Sequence, residues 1–155
     1  MGRTADYTNE RCSVAATLEV VGDPWTLLIL RDAFAGVKRF EQWQERLKSL
    51  VSHGVMETRR YSERPPRHEY WLTEKGLALS PVLLTMAEWG DRHVYGRDNS
   101  PVLFTHKACG CAFHPVLACE ACGEVVGRRD LERSSRQADS LTVGEALEAA
   151  NMAAE

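Results

Sequence analysis

Hydrophobic positions in this chain fall into blocks with helical or strand spacing, separated by glycine and proline. Val14, Leu18 and Val21 recur every three or four residues, which predicts a first helix over about 10–21, capped by Thr8 or Asn9 and ended by Gly22. Asp23 and Pro24 follow as a cap and a first-turn proline, whose missing N–H costs nothing there. The second helix, Trp25 to about Ala35, is apolar nearly all round (Trp25, Leu27, Leu28, Ile29, Leu30, Phe34) and is the expected centre of the core. Gly36 terminates it. Residues 38–47 have Phe40, Trp43 and Leu47 at helical spacing, and 47–54 read as a short helical remnant closed by Gly54.

The period then changes from helix to strand. Residues 55–60 and 68–72 alternate as strands, joined by an exposed loop over 61–67 in which Pro65 and Pro66 stand outside any ladder. Thr73 caps what comes next, and Ser80-Pro81 kinks that helix or opens a second one running to about Tyr95. Val82, Leu83, Met86, Trp89 and Val94 are available there for burial. Residues 96–101 have linker composition. The expected fold class is α+β, mostly α. It comprises a winged helix-turn-helix domain over 8–96, a small cysteine-rich β module over 102–130 and a polar tail with a marginal helix over 131–155.

Charge adds a direction to this outline. The 155 residues carry a formal net charge of −3. Between Lys38 and Arg67, however, eight Lys/Arg stand against four Glu, leaving the rest of the chain at −7. A basic patch on an acidic body points one face at phosphates. Arg59, Arg60, Arg64 and Arg67 lie on or beside the hairpin tip, where they would give salt-dependent affinity rather than base readout. Lys38, Arg39 and Lys48 extend the candidate DNA surface. The competing reading is a hairpin whose arginines only solubilise an edge. The N-terminus has no apolar signal core, and no apolar run approaches the roughly 20 residues of a membrane span, so a cytoplasmic protein without membrane partners is expected.

The runs LEVVGDPWTLLILRDAFAGVKRFEQWQERL and YSERPPRHEYWLTEKGLALSPVLLTMAEWGDRH resemble the HxlR family of MarR-like winged-helix regulators over about Cys12 to His93, more than half the chain. The resemblance implies a dimeric, sequence-specific DNA-binding transcriptional regulator. For several members it also implies sensing of oxidants or electrophiles through cysteine. The expected homodimer uses the first helix and the Val82–Val94 helix, with Trp89 as an anchor.

One departure from the family pattern is large. Phe40 to Gly54 spans only 15 residues, whereas two helices and their turn need roughly ten more. The family's base-reading helix would follow Leu47, but Leu47 runs straight into Lys48. Because the flanking motifs are intact and a true deletion would also cut core contacts, a segment missing from the sequence is the favoured explanation. No base-reading residue can be named.

Four of the five cysteines cluster at 109, 111, 119 and 122. His106-x-x-Cys109-Gly110 and Cys119-x-x-Cys122-Gly123 share one pattern, and together they offer a His/Cys₃ set suited to one structural zinc. Cys111 can replace His106, and His114 is a weaker candidate. A reduced thiol cluster, or a disulfide such as Cys109–Cys119, is the alternative. A thioredoxin-like use lacks its βαβ context. Cys12, at the expected helix start and off the apolar stripe, is the candidate redox residue, with inert packing as the alternative. No nucleophile–base pair, phosphate loop or carboxylate pair marks an enzyme. The second functional reading is a winged-helix protein–protein module with a metal ribbon and little DNA affinity.

Overall fold

The computed structural model describes residues 7–134 and 140–152. The chain separates into two compact units, Met1–Ser80 with Gln137–Glu155, and Pro81–Arg136.

In the first unit, α1 (Ser13–Val21) begins later than expected. Thr8 and Asn9 lie in a turn, and Cys12 is the N-cap without a side-chain cap bond. Of the expected stripe only Val21 is buried, together with Ala15, whereas Val14 and Leu18 face outward. Helix α2 (Pro24–Phe34) starts as its sequence requires, with Asp23 accepting from Trp25 N and Pro24 in the first turn. Its inner face buries Thr26, Ile29 and Leu30, while Trp25 and Leu28 stay exposed, so the apolar circumference is only partly core.

The helix expected over 38–47 does not form from its start. Gly36 takes φ +93°, Trp43 takes φ +64°, and the Lys38 carbonyl accepts from Tyr70 N at 2.8 Å. Pairing with the neighbouring strand wins over helical spacing here. Phe40 packs edge-on against Tyr70 at 6.2 Å, and Trp43 stacks on Trp25 at 5.7 Å. A single helix, α3 (Gln44–Ser52), then leads directly to the hairpin. Leu47 and Leu50 on this helix are wholly buried, as are Ile29 and Leu30 of α2. The short connection therefore keeps its core contacts, contrary to the expectation that shortening would cut them.

Strands β1 (Met56–Glu63) and β2 (Pro66–Leu72) pair antiparallel from Met56↔Leu72 to Glu63↔Pro66, with a bulge at Tyr61. The strands reach further than the alternation suggested, leaving only Arg64 and Pro65 at the tip. Pro66 is accommodated as the first residue of its strand. After the hairpin, Thr73 caps α4 (Glu74–Leu77) through Gly76 N, and its hydroxyl also reaches the Gly54 carbonyl at 2.6 Å. Gly76 is fixed by this crowding, since a Cβ there would lie 2.2 Å from the Val55 carbonyl oxygen.

Part of the expected polar tail is structural. Helix α6 (Val143–Met152) returns to the first unit, where Val143 is buried, Val143 N donates to Glu10 O and Gly144 N donates to Thr8 O. Residues 135–139 and 153–155 of that tail lie outside the described residues.

The second unit contains nearly all of α5 (Ser80–Gly90), a π-helical turn over Asp91–Tyr95 and the cysteine-bearing segment. Glu88 is its ionic centre, accepting from His114 Nδ1 at 2.9 Å and also from Arg97 and Arg92. Its partners His114 and Arg97 hold the Glu88 carboxyl below its usual range. Two minimal hairpins close at the bridges Thr105↔Ala112 and Ala118↔Val125. Among the described residues, no single helix is long and apolar enough to cross a membrane.

Candidate nucleic-acid interface

Alternation along the hairpin puts Glu57, Arg59 and, across the bulge, Tyr61 near Glu69 and Trp71 of β2. The cations expected to meet DNA are largely fixed within this face. Lys38 Nζ sits 3.3 Å from the centroid of the Trp71 ring, and the Arg59 guanidinium carbon lies 4.4 Å from it. Arg59 also pairs with Glu57 at 2.6 Å. Arg39 donates to Glu69 at 2.8 and 3.0 Å and stacks on Tyr61 at 4.2 Å. Arg60 is held by Glu63 at 3.1 Å and by the Ser62 carbonyl.

Lys48 belongs to a different element. On α3 it pairs with Glu45 at 2.8 Å, which keeps its amine protonated above the ordinary lysine value. Arg64 and Arg67 differ from all of these. Both are exposed beside the tip prolines, and neither side chain has a hydrogen bond, ion pair or ring contact among the described residues. An arginine without an internal partner can offer its full fork to a phosphate. Among the seven candidate cations the unpaired ones therefore lie at the tip, while the flank of the hairpin is a self-paired scaffold. Sequence reading missed that scaffold, although the two-residue spacing of Glu57, Arg59, Glu69 and Trp71 was the signal for it.

The cysteine segment has a duplicated geometry. In each hairpin the residue preceding the two spacers, His106 or Cys119, accepts from the glycine four positions on: Gly110 N to His106 O at 2.8 Å, and Gly123 N to Cys119 O at 2.7 Å. Each also donates to the residue five positions on, His106 N to Cys111 O and Cys119 N to Glu124 O, both at 2.9 Å. Both glycines need their positive φ, +70° and +74°. His106 Nδ1 lies 3.2 Å from Cys109 Sγ. The N–H groups of Cys122 and Ala121, with the Cys122 thiol, hold the Cys119 thiol below its ordinary value.

Two donor pairs of a type compatible with zinc are therefore preshaped. Yet among the described residues no three His, Cys, Asp or Glu lie close enough to share an ion. The structure brings together His106 with Cys109 and Cys119 with Cys122, not all four donors. Cys111 occupies the position equivalent to Glu124, outside either pair. Cys12 is exposed and free at the start of α1.

The HxlR-like helix-turn-helix family model matches residues 43–98. Rv3095 of Mycobacterium tuberculosis, an uncharacterized HTH-type transcriptional regulator, is 39% identical over 130 residues, covering 77% of this chain and 82% of the relative. The chain belongs to the HxlR-like helix-turn-helix family of transcriptional regulators. Another HTH-type transcriptional regulator, YybR of Bacillus subtilis, is 32% identical over 117 residues, 67% of this chain and 89% of its own. Two solved structures share the architecture. That of PA1607, a candidate transcription factor, superposes with a TM-score of 0.70 at 33% identity, covering 86% of this chain and all of the other. That of PA1374 from Pseudomonas aeruginosa, likewise a candidate transcription factor, has a TM-score of 0.59 at 31% identity and covers 87% and 99%. Membership in this family of transcriptional regulators agrees with the lack of any catalytic constellation noted in the sequence.

Proposed function

We propose that this HxlR-like regulator acts in the cytoplasm as a homodimer that docks on double-stranded DNA with its β1–β2 wing. The free guanidinium groups of Arg64 and Arg67 at the wing tip carry this reading, supported by family membership. Each phosphate contact there would release condensed counterions, making affinity fall with salt. Fluorescence anisotropy with a labelled duplex tests it. Saturable binding at low salt that weakens as salt rises supports the reading, and no binding at 50 mM salt, an ionic strength at which phosphate contacts are strong, contradicts it.

Dimerisation is supported by exposed apolar side chains on α5. That helix exposes Val82, Met86 and Trp89 (62%) at helical spacing. An oxidant or electrophile effector acting at Cys12 is supported by the exposed, uncapped position of its thiol. A structural zinc held by His106, Cys109, Cys119 and Cys122 is supported by the matched hairpins. It requires those two pairs to close on one another. Zinc there would cross-link the module and nothing more.

A second reading, a protein–protein module with little DNA affinity, draws on one observation: a single helix stands where the family places two. A dimer that binds no duplex would favour it.

A further inference from the structure

We propose that the second unit holds a binding site for a small organic cation on an apolar frame, of the arylalkylammonium class. The site is independent of DNA docking and would give the regulator a reversible small-molecule effector.

The chain builds this site locally. A cleft of about 290 Å³, at the small end of ligand pockets, is lined only by residues between 84 and 115, all within the second unit. One wall is the face of α5 and its π-helical continuation that carries Leu84, Glu88 and Asp91 at helical spacing. Gly96, at φ +77°, then turns the chain, with Asn99 N donating to Gly96 O at 2.9 Å. Arg97 and Asp98 of that turn also line the cleft. A further wall comes from the base of the first cysteine hairpin, where Phe113 N donates to Phe104 O at 2.8 Å and so brings two aromatic residues to the cleft.

Charge decides what the cleft takes. The Glu88 carboxylate is only 16% exposed and already accepts from His114 Nδ1, Arg97 and Arg92. That cluster uses the basic groups at hand. Asp91 and Asp98 line the same cleft, and neither side chain has a hydrogen bond or ion pair among the described residues. Two unclaimed carboxylates beside Leu84, Phe104 and Phe113 suit a guest with a positive charge and an apolar body. Coulomb attraction is stronger in a partly desolvated cleft than in bulk water, and phenyl faces attract ammonium groups as well. A neutral guest would leave both acids unpaired, and an anionic one would be repelled by them. The π turn points the same way. Such turns are rare and concentrate at functional sites, and the first residue of this one is Asp91.

The experiment titrates the isotope-labelled full chain with benzyltrimethylammonium, benzyl alcohol and phenylacetate, reading amide chemical shifts by NMR. The ammonium is expected to saturate with a dissociation constant of about 1 mM or below, as suits a ligand of this size. Its shifts should centre on Asp98, Phe104 and Phe113, and the alcohol and the anion should bind more weakly by about tenfold or more. Asp91→Asn/Asp98→Asn, which keeps side-chain shape and removes both charges, is expected to weaken the ammonium by about tenfold and leave benzyl alcohol unchanged. The comparison of the three ligands on wild type needs no variant, so it decides the matter even if the double variant does not fold. Four results would overturn the proposal: no saturable shift at about ten times the expected constant, shifts centred on the first unit, phenylacetate binding as tightly as the ammonium, or a folded double variant of unchanged affinity.

Discussion

Oδ1 of Asp23 accepts from both the Trp25 backbone N–H and Arg46 Nε, each at 2.9 Å, so one carboxylate starts α2 and fastens α3 to it. The Arg46 guanidinium, helped by the Trp25 and Thr26 N–H groups, holds the acid below the usual carboxylate range. Asp23→Ala is expected to cost about 1–2 kcal/mol in urea unfolding, from the lost cap and ion pair together. Asp23→Asn, which keeps the cap, should cost less. Because the folded-state value is depressed, this stabilisation is full above the unfolded carboxylate value and disappears as pH falls through the folded one. The gap between wild type and the Asn variant should therefore close in acid.

Trp89 is 62% exposed on an α5 face that also carries Val82 and Met86. Trp89→Ala is expected to shift the dimer towards monomer by tenfold or more in dissociation constant, in line with an aromatic anchor. Light scattering across a concentration series measures it. A wild-type monomer at micromolar concentration would overturn the dimer.

Legibility in the sequence followed how local each determinant is. Asp23, Pro24 and Gly36 act on their own helix ends, and α2 lies where they place it. The hairpin was visible because alternation is a local signal, although its strands run on to Glu63 and Pro66. Residues 38–43 misled because Phe40, Trp43 and Leu47 have helical spacing. Their fate was decided elsewhere, by Tyr70 N binding the Lys38 carbonyl and by Trp25 stacking on Trp43. The seven candidate DNA cations looked alike in sequence. Only the partners Trp71, Glu69, Glu57, Glu63 and Glu45 separate Lys38, Arg39, Arg59, Arg60 and Lys48 from Arg64 and Arg67. Docking of α6 through Val143 depends on contacts with residues 8 and 10 that no window could show.

If Cys12 is the responsive thiol, diamide should change DNA affinity in wild type and leave Cys12→Ser unmoved. Anisotropy with and without the oxidant measures this. Equal responses would move attention to the Cys109–Cys122 cluster, where neighbouring N–H groups hold the Cys119 thiol below its ordinary value.

If the two hairpins close around zinc, purified protein should contain one zinc per chain by atomic emission. Cys119→Ser should abolish the metal, whereas Cys111→Ser, outside both donor pairs, should not. Chelation should loosen the second unit and leave the first folded. Metal-free protein with an ordered tail would rule the site out.

The most direct test of wing docking is the slope of log affinity against log salt for wild type and for Arg64→Ala/Arg67→Ala on the same duplex. Wild type should show affinity falling steeply as salt rises. The double variant should bind more weakly, with a slope shallower by about two units, roughly one for each lost phosphate contact. An unchanged slope in the double variant would contradict the account.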